Sequence, residues 1–270
     1  MNSRDRIAFD HVSVAFQTPA GVLPVVEDVS FTVRDGEFVS LVGPSGCGKT
    51  TMLNIVAGFL KPSRGSVTLD GAPIEGPGPD RGVIFQDYGV FPWLTVEKNI
   101  EFGLSLRSNH RSREERAEVC ERYMKLMGLN EFRRAYPKTL SGGMRQRLAL
   151  ARAYAVAPQF LLMDEPFGAL DAQTRTAMQD LLLEVLQKEG KTAMLITHSV
   201  EEAIYLSARV VVVTARPSRI RCIVDVPFPY PRTQELHEKA EFIQLRSRMR
   251  DLVMREYAAQ EQQSRDAAPD

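Results

Sequence analysis

One octapeptide constrains this chain more than any other feature: Gly43-Pro44-Ser45-Gly46-Cys47-Gly48-Lys49-Thr50 matches G-x-x-x-x-G-K-[ST]. It lies between the apolar run 38–42, predicted as a strand, and a helical pattern in which Leu53, Val56, Ala57 and Leu60 recur at i, i+3, i+4 and i+7. That helix is expected to end near Lys61-Pro62. Strand, glycine loop, helix is the setting this motif requires. The glycines let the backbone curl so that its N–H groups face phosphate oxygens, and the helix start adds the positive end of its dipole. Lys49 is then expected to reach β and γ oxygens, and the Thr50 hydroxyl to bind Mg²⁺, which takes hard oxygen ligands. Cys47 stands where the loop needs only a small side chain, so packing outweighs a redox role.

Strand-like runs rich in β-branched residues recur at 7–16, 25–33, 38–42, 66–69, 82–85, 160–163, 193–197 and 210–213, with helical patterns between many of them. The early runs, with Asp35-Gly36 and Asp70-Gly71 as turn signals, read as antiparallel; the later buried runs, separated by helices, read as a parallel sheet. From about 95 to 157 the sequence is helical and charged, with Glu118 and Arg122, and Glu121 and Lys125, at i,i+4. Its Arg-Ser-Arg-Glu-Glu-Arg run reads as a solvated helix face. The prediction is one mixed α/β domain over 1–225, with a helical subdomain inserted at about 95–157. A short helical extension over 226–270 follows, its polar tail from Gln260 frayed.

Composition removes several classes. The 34 Lys and Arg balance 34 Asp and Glu, which argues against a protein that grips bulk nucleic acid through a basic surface. The charge-free stretch from His11 to Val26 is broken by Pro19 and Pro24 and falls short of the roughly 20 apolar residues that span a bilayer. The opening MNSRDRIAFD has no secretory pattern, which points to the cytosol. Cys47, Cys120 and Cys222 fit neither a disulfide framework nor a zinc site and read as reduced thiols.

Two further stretches carry chemistry. The run 160–163 ends in Asp164-Glu165, which can aim one carboxylate at a Mg²⁺ shell and the other at an attacking water. Adjacent acids at a strand end are commonplace; it is the phosphate loop that makes them a nucleotidase pair. Leu140-Ser141-Gly142-Gly143-Met144-Arg145-Gln146-Arg147 precedes a helical run, so Ser141 as N-cap would open a second anion-binding helix start, although plain capping also accounts for it.

In this order the motifs resemble those of the ATP-binding subunit of an ABC transporter, from about residue 7 to 221. The resemblance implies a P-loop, RecA-like α/β core with an antiparallel β subdomain and an inserted α-helical subdomain. It makes 43–51, ending in Thr51, the ATP phosphate loop, Gln86 the Q-loop glutamine, and 140–147 the signature, with Ser141, Gly142 and Gly143 on the nucleotide. Thr50, Gln86 and Asp164 become Mg²⁺ ligands, Glu165 the catalytic base, Asp171 the D-loop acid, and His198, after the run 193–197, the switch histidine. The other histidines, His11, His110 and His237, are left to packing or surface. Phe16 matches the adenine-stacking position, although core packing explains it equally. Met144 stands where many signatures have Gln.

After Gln86 comes Asp87-Tyr88-Gly89-Val90-Phe91-Pro92-Trp93-Leu94, which matches the groove that receives a cytoplasmic helix of the membrane subunit. Tyr88, Phe91 and Trp93 are the expected permease contacts, the alternative being that the aromatics pack the lobe onto the core. Phe-Pro-Trp-Leu-Thr, the Met-Arg-Gln-Arg signature ending and Ala215-Arg216-Pro217-Ser218-Arg219-Ile220 resemble the nitrate/sulfonate/taurine importer group. The resemblance implies two copies meeting head to tail over ATP, a permease, and, indirectly, an extracytoplasmic solute-binding protein. It places the chain peripherally on the cytoplasmic face of the inner membrane, without nucleic acid. The rival reading is a soluble, non-transport ABC ATPase switching on ribosome or DNA; one phosphate loop and no sustained heptads speak against it.

Overall fold

The computed structural model describes residues 4–19, 21–106 and 109–266. The element order is β1 (Asp5–Thr18), β2 (Gly21–Arg34), β3 (Phe38–Val42), α1 (Lys49–Ala57), β4 (Arg64–Leu69), β5 (Ala72–Pro73), β6 (Arg81–Ile84), α2 (Val96–Leu104) and α3 (Arg113–Leu126). There follow α4 (Gly142–Ala155), β7 (Phe160–Asp164), α5 (Ala172–Glu189), β8 (Thr192–Ile196), α6 (Val200–Leu206), β9 (Arg209–Val213), β10 (Ile220–Asp225) and α7 (Ala240–Asp266). The chain forms two compact units, Met1–Gly78 with Leu183–Asp270, and Pro79–Leu182.

In the first unit β1 pairs antiparallel with β2 on one side and β4 on the other, with β5 beyond. The expected turns are there, with Gly36, Asp70 and Gly71 in the left-handed region that releases a chain from one strand into the next. Strand β3, buried at every residue, lies parallel to both β8 and β9, which is why its sequence is apolar except for the buried Ser40. Strand β10 joins β9 antiparallel and was not anticipated. Its half-exposed alternation belongs to an edge strand, a weaker signal than the buried runs beside it.

Helix α1 ends four residues earlier than its apolar spacing suggests. Gly58 takes the left-handed C-cap conformation (φ 79°), and its N–H returns to the carbonyls of Asn54 and Ile55. A Cβ at Gly58 would lie 2.2 Å from the Gly76 backbone, so glycine also serves a close chain crossing. Leu60 thus falls outside the helix.

The segment after β10 is anchored on α6. The buried Arg232 donates from Nη1 to the carbonyls of Ile204, Tyr205 and Ser207 at 2.7, 3.0 and 2.9 Å, closing the C-terminus of α6, while its guanidinium lies 4.1 Å over the Tyr230 ring. Desolvation lowers the pKa of this arginine, a direction set by its burial. Helix α7 buries Phe242, Met249 and Val253 on one stripe. It runs through the stretch from Gln260 expected to fray, because Gln260, Glu261 and Gln262 are ordinary helix formers; residues 267–270 of that tail lie outside the described residues.

In the second unit β6 and β7 pair in parallel, and α2, α3 and α4 form the anticipated helical block. Ser112 and Glu115 close a capping box at the start of α3, inside the run read as a solvated face. A Cβ at Gly103 of α2 would meet Val156 Cγ1 at 2.5 Å, so glycine sets how near α2 comes to the end of α4.

Candidate functional site

In the first unit, the phosphate loop leaves the C-terminal end of β3 and turns directly into α1. Its turn is bought with backbone freedom at Gly46 (φ 71°) and Gly48 (φ 121°). At Gly43 a Cβ would sit 2.7 Å from Val213 of β9, so the loop's base is pressed against the sheet. Gly48 is the N-cap of α1 and offers no side-chain acceptor, so no cap claims the N–H groups of the first turn.

Lys49 is 5% exposed. Its ammonium donates to the carbonyls of Gly43 (2.9 Å) and Pro44 (2.7 Å) and stands 3.9 Å from Cys47 Sγ. Among the described residues no carboxylate forms an ion pair with it. A buried cation beside a helix start without a side-chain cap is an arrangement that suits an anion. Thr50 exposes its side chain and Thr51 is half-buried, whereas Cys47 is buried. On the loop's outer side Gln260 Nε2 of α7 donates to the Ser45 carbonyl at 3.0 Å.

His198 belongs to the same unit. Strand β8 is the parallel neighbour of β3, with Leu41 opposite Ile196, and the Thr197 N–H donates to the Leu41 carbonyl at 3.2 Å. Neighbouring strands lie about 4.8 Å apart, so the exposed His198 leaves the sheet at the edge from which the phosphate loop leaves it. Its turn is fixed from behind. The Ser199 N–H donates to Thr197 Oγ1 at 3.0 Å, Thr197 Oγ1 bonds Glu202, and Ser199 Oγ caps α6. Phe16 is 39% exposed near the hairpin end of β1, opposite Leu23, an open aromatic face outside the core.

In the second unit, parallel β6 and β7 put Ile84 opposite Met163. Gln86 after one strand and Asp164-Glu165 at the end of the other therefore emerge at one edge. Gln86 is exposed, and both acids are half-buried. Glu165 adopts φ 45°, a left-handed conformation uncommon for a residue with a Cβ and a recurrent mark of functional positions. Asp171 caps α5: its Oδ1 accepts from Thr174 N–H at 2.9 Å, and such backbone donors hold the carboxyl below its usual range.

Ser141 is the N-cap of α4, accepting from Met144 N–H at 3.3 Å. Gly142 and Gly143 form its first turn. A Cβ on Gly143 would come within 2.4 Å of Thr174 Cγ2, so this glycine also lets the signature turn press on the start of α5.

The three residues expected to contact a permease differ in exposure. Trp93 is 70% exposed, with its ring 5.4 Å from that of the half-buried Phe91. Tyr88 is buried and takes a left-handed backbone (φ 67°). Sequence reasoning missed Asn99, buried at the second turn of α2, and Arg152 of α4; both hold the loop that carries these aromatics. The available signal was a polar residue beside Val96 and Ile100 on the apolar face of the helix. Among the described residues no cluster of three or more His, Cys, Asp or Glu side chains forms a metal site.

The ABC transporter family matches residues 26–168. An ATP-binding protein of Brucella abortus is 49% identical over 97% of this chain and 98% of its own length. The nitrate import ATP-binding protein NrtD of Synechococcus elongatus is 42% identical (93% of this chain, 92% of the relative), and the taurine import ATP-binding protein TauB of Pelagibacter ubique 46% (81% and 82%). A solved dimeric ATP-binding cassette in a post-hydrolysis state, bound to ADP and Pi, superposes with a TM-score of 0.72 at 30% identity, covering 83% of this chain and all of that one.

Proposed function

The chain belongs to the ABC transporter family as an ATP-binding subunit of the nitrate/taurine group, and from that premise we propose that it is the ATP-hydrolysing motor of an importer. Its cargo would be a small anionic or organic solute of nitrate, sulfonate or taurine type. The observation that carries the nucleotide half is Lys49, a buried ammonium with no carboxylate partner among the described residues at the uncapped start of α1. The importer half is supported by the nitrate and taurine import subunits among its relatives.

In this reading 43–51 wraps the phosphates, Lys49 exchanges its two carbonyl partners for phosphate oxygens, and Phe16 supports the adenine. Thr50, Gln86 and Asp164 are hard oxygen donors of the kind Mg²⁺ takes, and bound Mg²⁺ would neutralise triphosphate charge. Glu165 accepts a proton from water as the water oxygen bonds to the γ-phosphorus and the bond to the β–γ bridging oxygen breaks, giving ADP and phosphate. His198 donates a hydrogen bond to the γ-phosphate. Ser141, Gly142 and Gly143 of a second copy meet the nucleotide from the other side, with Asp171 at that interface, so ATP binding closes the dimer. Trp93 and Phe91 pass the closure to a membrane permease, to which an extracytoplasmic binding protein delivers solute. No helix of the described residues is long and apolar enough to cross a membrane, and the motor would sit on the cytoplasmic face, held by that permease.

The test is recovery of tagged Glu165→Gln chain from detergent-solubilised native membranes with Mg-ATP, co-purifying chains being identified by mass spectrometry. A polytopic permease is the expected companion. Recovery of ribosomal or DNA-repair proteins without a permease would overturn the transport reading.

A further inference from the structure

The segment 89–95 has little regular structure, yet its aromatic pair is held by side chains from two different helices. Asn99 of α2 is fully buried. Its Oδ1 accepts from the Phe91 N–H at 2.7 Å, and the two N–H groups of its Nδ2 are shared among the carbonyls of Phe91, Leu94 and Thr95 at 3.0, 3.0 and 3.1 Å. One amide thus serves as the hydrogen-bonding core of a loop that would otherwise have to find these partners in water. Arg152 of α4 comes from the other side. Its guanidinium lies 4.0 Å over the Phe91 ring and donates to the Gly89 carbonyl. Burial lowers the pKa of this arginine, the expected direction for a cation taken out of water. Phe102 of α2 closes the cluster, 4.5 Å from Phe91. With Phe91 fixed on three sides, Trp93 is projected outward from a stationary base.

We propose that Asn99 and Arg152 are positioning residues: together they hold 89–95 in the one shape that a membrane subunit reads, and Arg152 fastens that shape to the helix that begins at the signature Ser141. The inference rests on the reading of Trp93 and Phe91 as permease contacts. A displacement of α4 driven by nucleotide at its N-terminal end is delivered to the docking loop through the Arg152 guanidinium and not dissipated in a loose connection. A loop ordered only on docking would lose affinity, since freezing one or two residues is worth about tenfold.

Trp93 is the only tryptophan of the chain, so its fluorescence reports this loop alone. The full-length wild type, Asn99→Ala, Asn99→Asp, Arg152→Lys and Trp93→Ala would be compared. Asn99→Asp keeps the acceptor and loses both donors; Arg152→Lys keeps the charge and loses the planar fork. The expected result is lower Trp93 anisotropy and stronger acrylamide quenching in the Asn99 and Arg152 variants. Basal ATP hydrolysis of the isolated chain should stay within about twofold, and permease recovered from membranes should fall about tenfold or more, as with Trp93→Ala. Unchanged Trp93 anisotropy in Asn99→Ala and Arg152→Lys overturns the clamp itself. A loosened Trp93 with full recovery, while Trp93→Ala abolishes recovery, overturns its role in docking. Full recovery with Trp93→Ala refutes the contact reading instead, and the clamp then stands or falls on the anisotropy. Should Asn99→Ala fail to fold, Arg152→Lys and Asn99→Asp carry the same measurements.

Discussion

At the scale of single residues, Lys49 is buried, with its ammonium held by two backbone carbonyls and close to Cys47 Sγ. Replacing it with methionine, similar in length and apolar, removes an uncompensated buried charge. Lys49→Met should therefore melt no lower than wild type without nucleotide, yet bind ATP about 10- to 100-fold more weakly, the value of hydrogen bonds to a charged group. Thermal melts and a fluorescent-nucleotide titration read the two effects separately. A second residue-scale prediction concerns pH. His11 Nδ1 lies 2.7 Å from Asp28 Oδ1 on the surface, and that hydrogen bond raises the histidine's pKa. The folded state then binds the proton more tightly than the unfolded chain. The contribution is complete below the ordinary value of about 6.5 and is lost as pH rises through the raised folded value. An NMR titration should find His11 above 6.5 in the wild type and back near it in Asp28→Asn.

Among elements, the join between the signature turn and α5 makes the sharpest prediction. Gly143→Ala drives a methyl into Thr174 Cγ2, and Thr174→Ser deletes that carbon while keeping the hydroxyl. The single variant should lose about 1–3 kcal/mol, the usual range for overpacking, and the double variant should recover most of it, as read by chemical denaturation. Both would be misread as nucleotide-contact effects if only activity were followed. The sequence exposed this level unevenly. Strands β3, β7, β8 and β9 were legible because burial on both faces leaves each with four apolar residues in five, and the phosphate loop because its chemistry depends on local spacing. The end of α1 was misplaced because the apolar spacing runs on to Leu60, past Gly58, whose left-handed C-cap ends the helix. The burial of Tyr88 escaped as well, because a loop position carries no periodicity from which exposure can be read. Asn99 and Arg152 escaped because their partners are carbonyls, which have no letter in a sequence.

At the scale of the whole molecule, Glu165→Gln separates binding from turnover. Loss of a general base typically slows the chemical step about 10²–10⁴-fold, so with Mg-ATP the variant should accumulate as a species of twice the monomer mass in light scattering, while wild type with ADP stays monomeric. A monomeric variant at saturating Mg-ATP would count against the head-to-tail dimer. The parallel pairing of β3 has a consequence for how the protein is made. Phe38 pairs with Ala193 and Val39 with Arg209, so neither sheet neighbour of β3 exists until more than 150 further residues have been translated. At about 5–20 residues per second that delay is roughly 8–30 seconds. The unit Pro79–Leu182 is contiguous and emerges complete within the same interval. The growing chain thus finishes its second unit while the segment Phe38–Val42, four apolar residues around Ser40, waits beside the ribosome with both strand edges open, a stage at which it depends on whatever shields nascent chains.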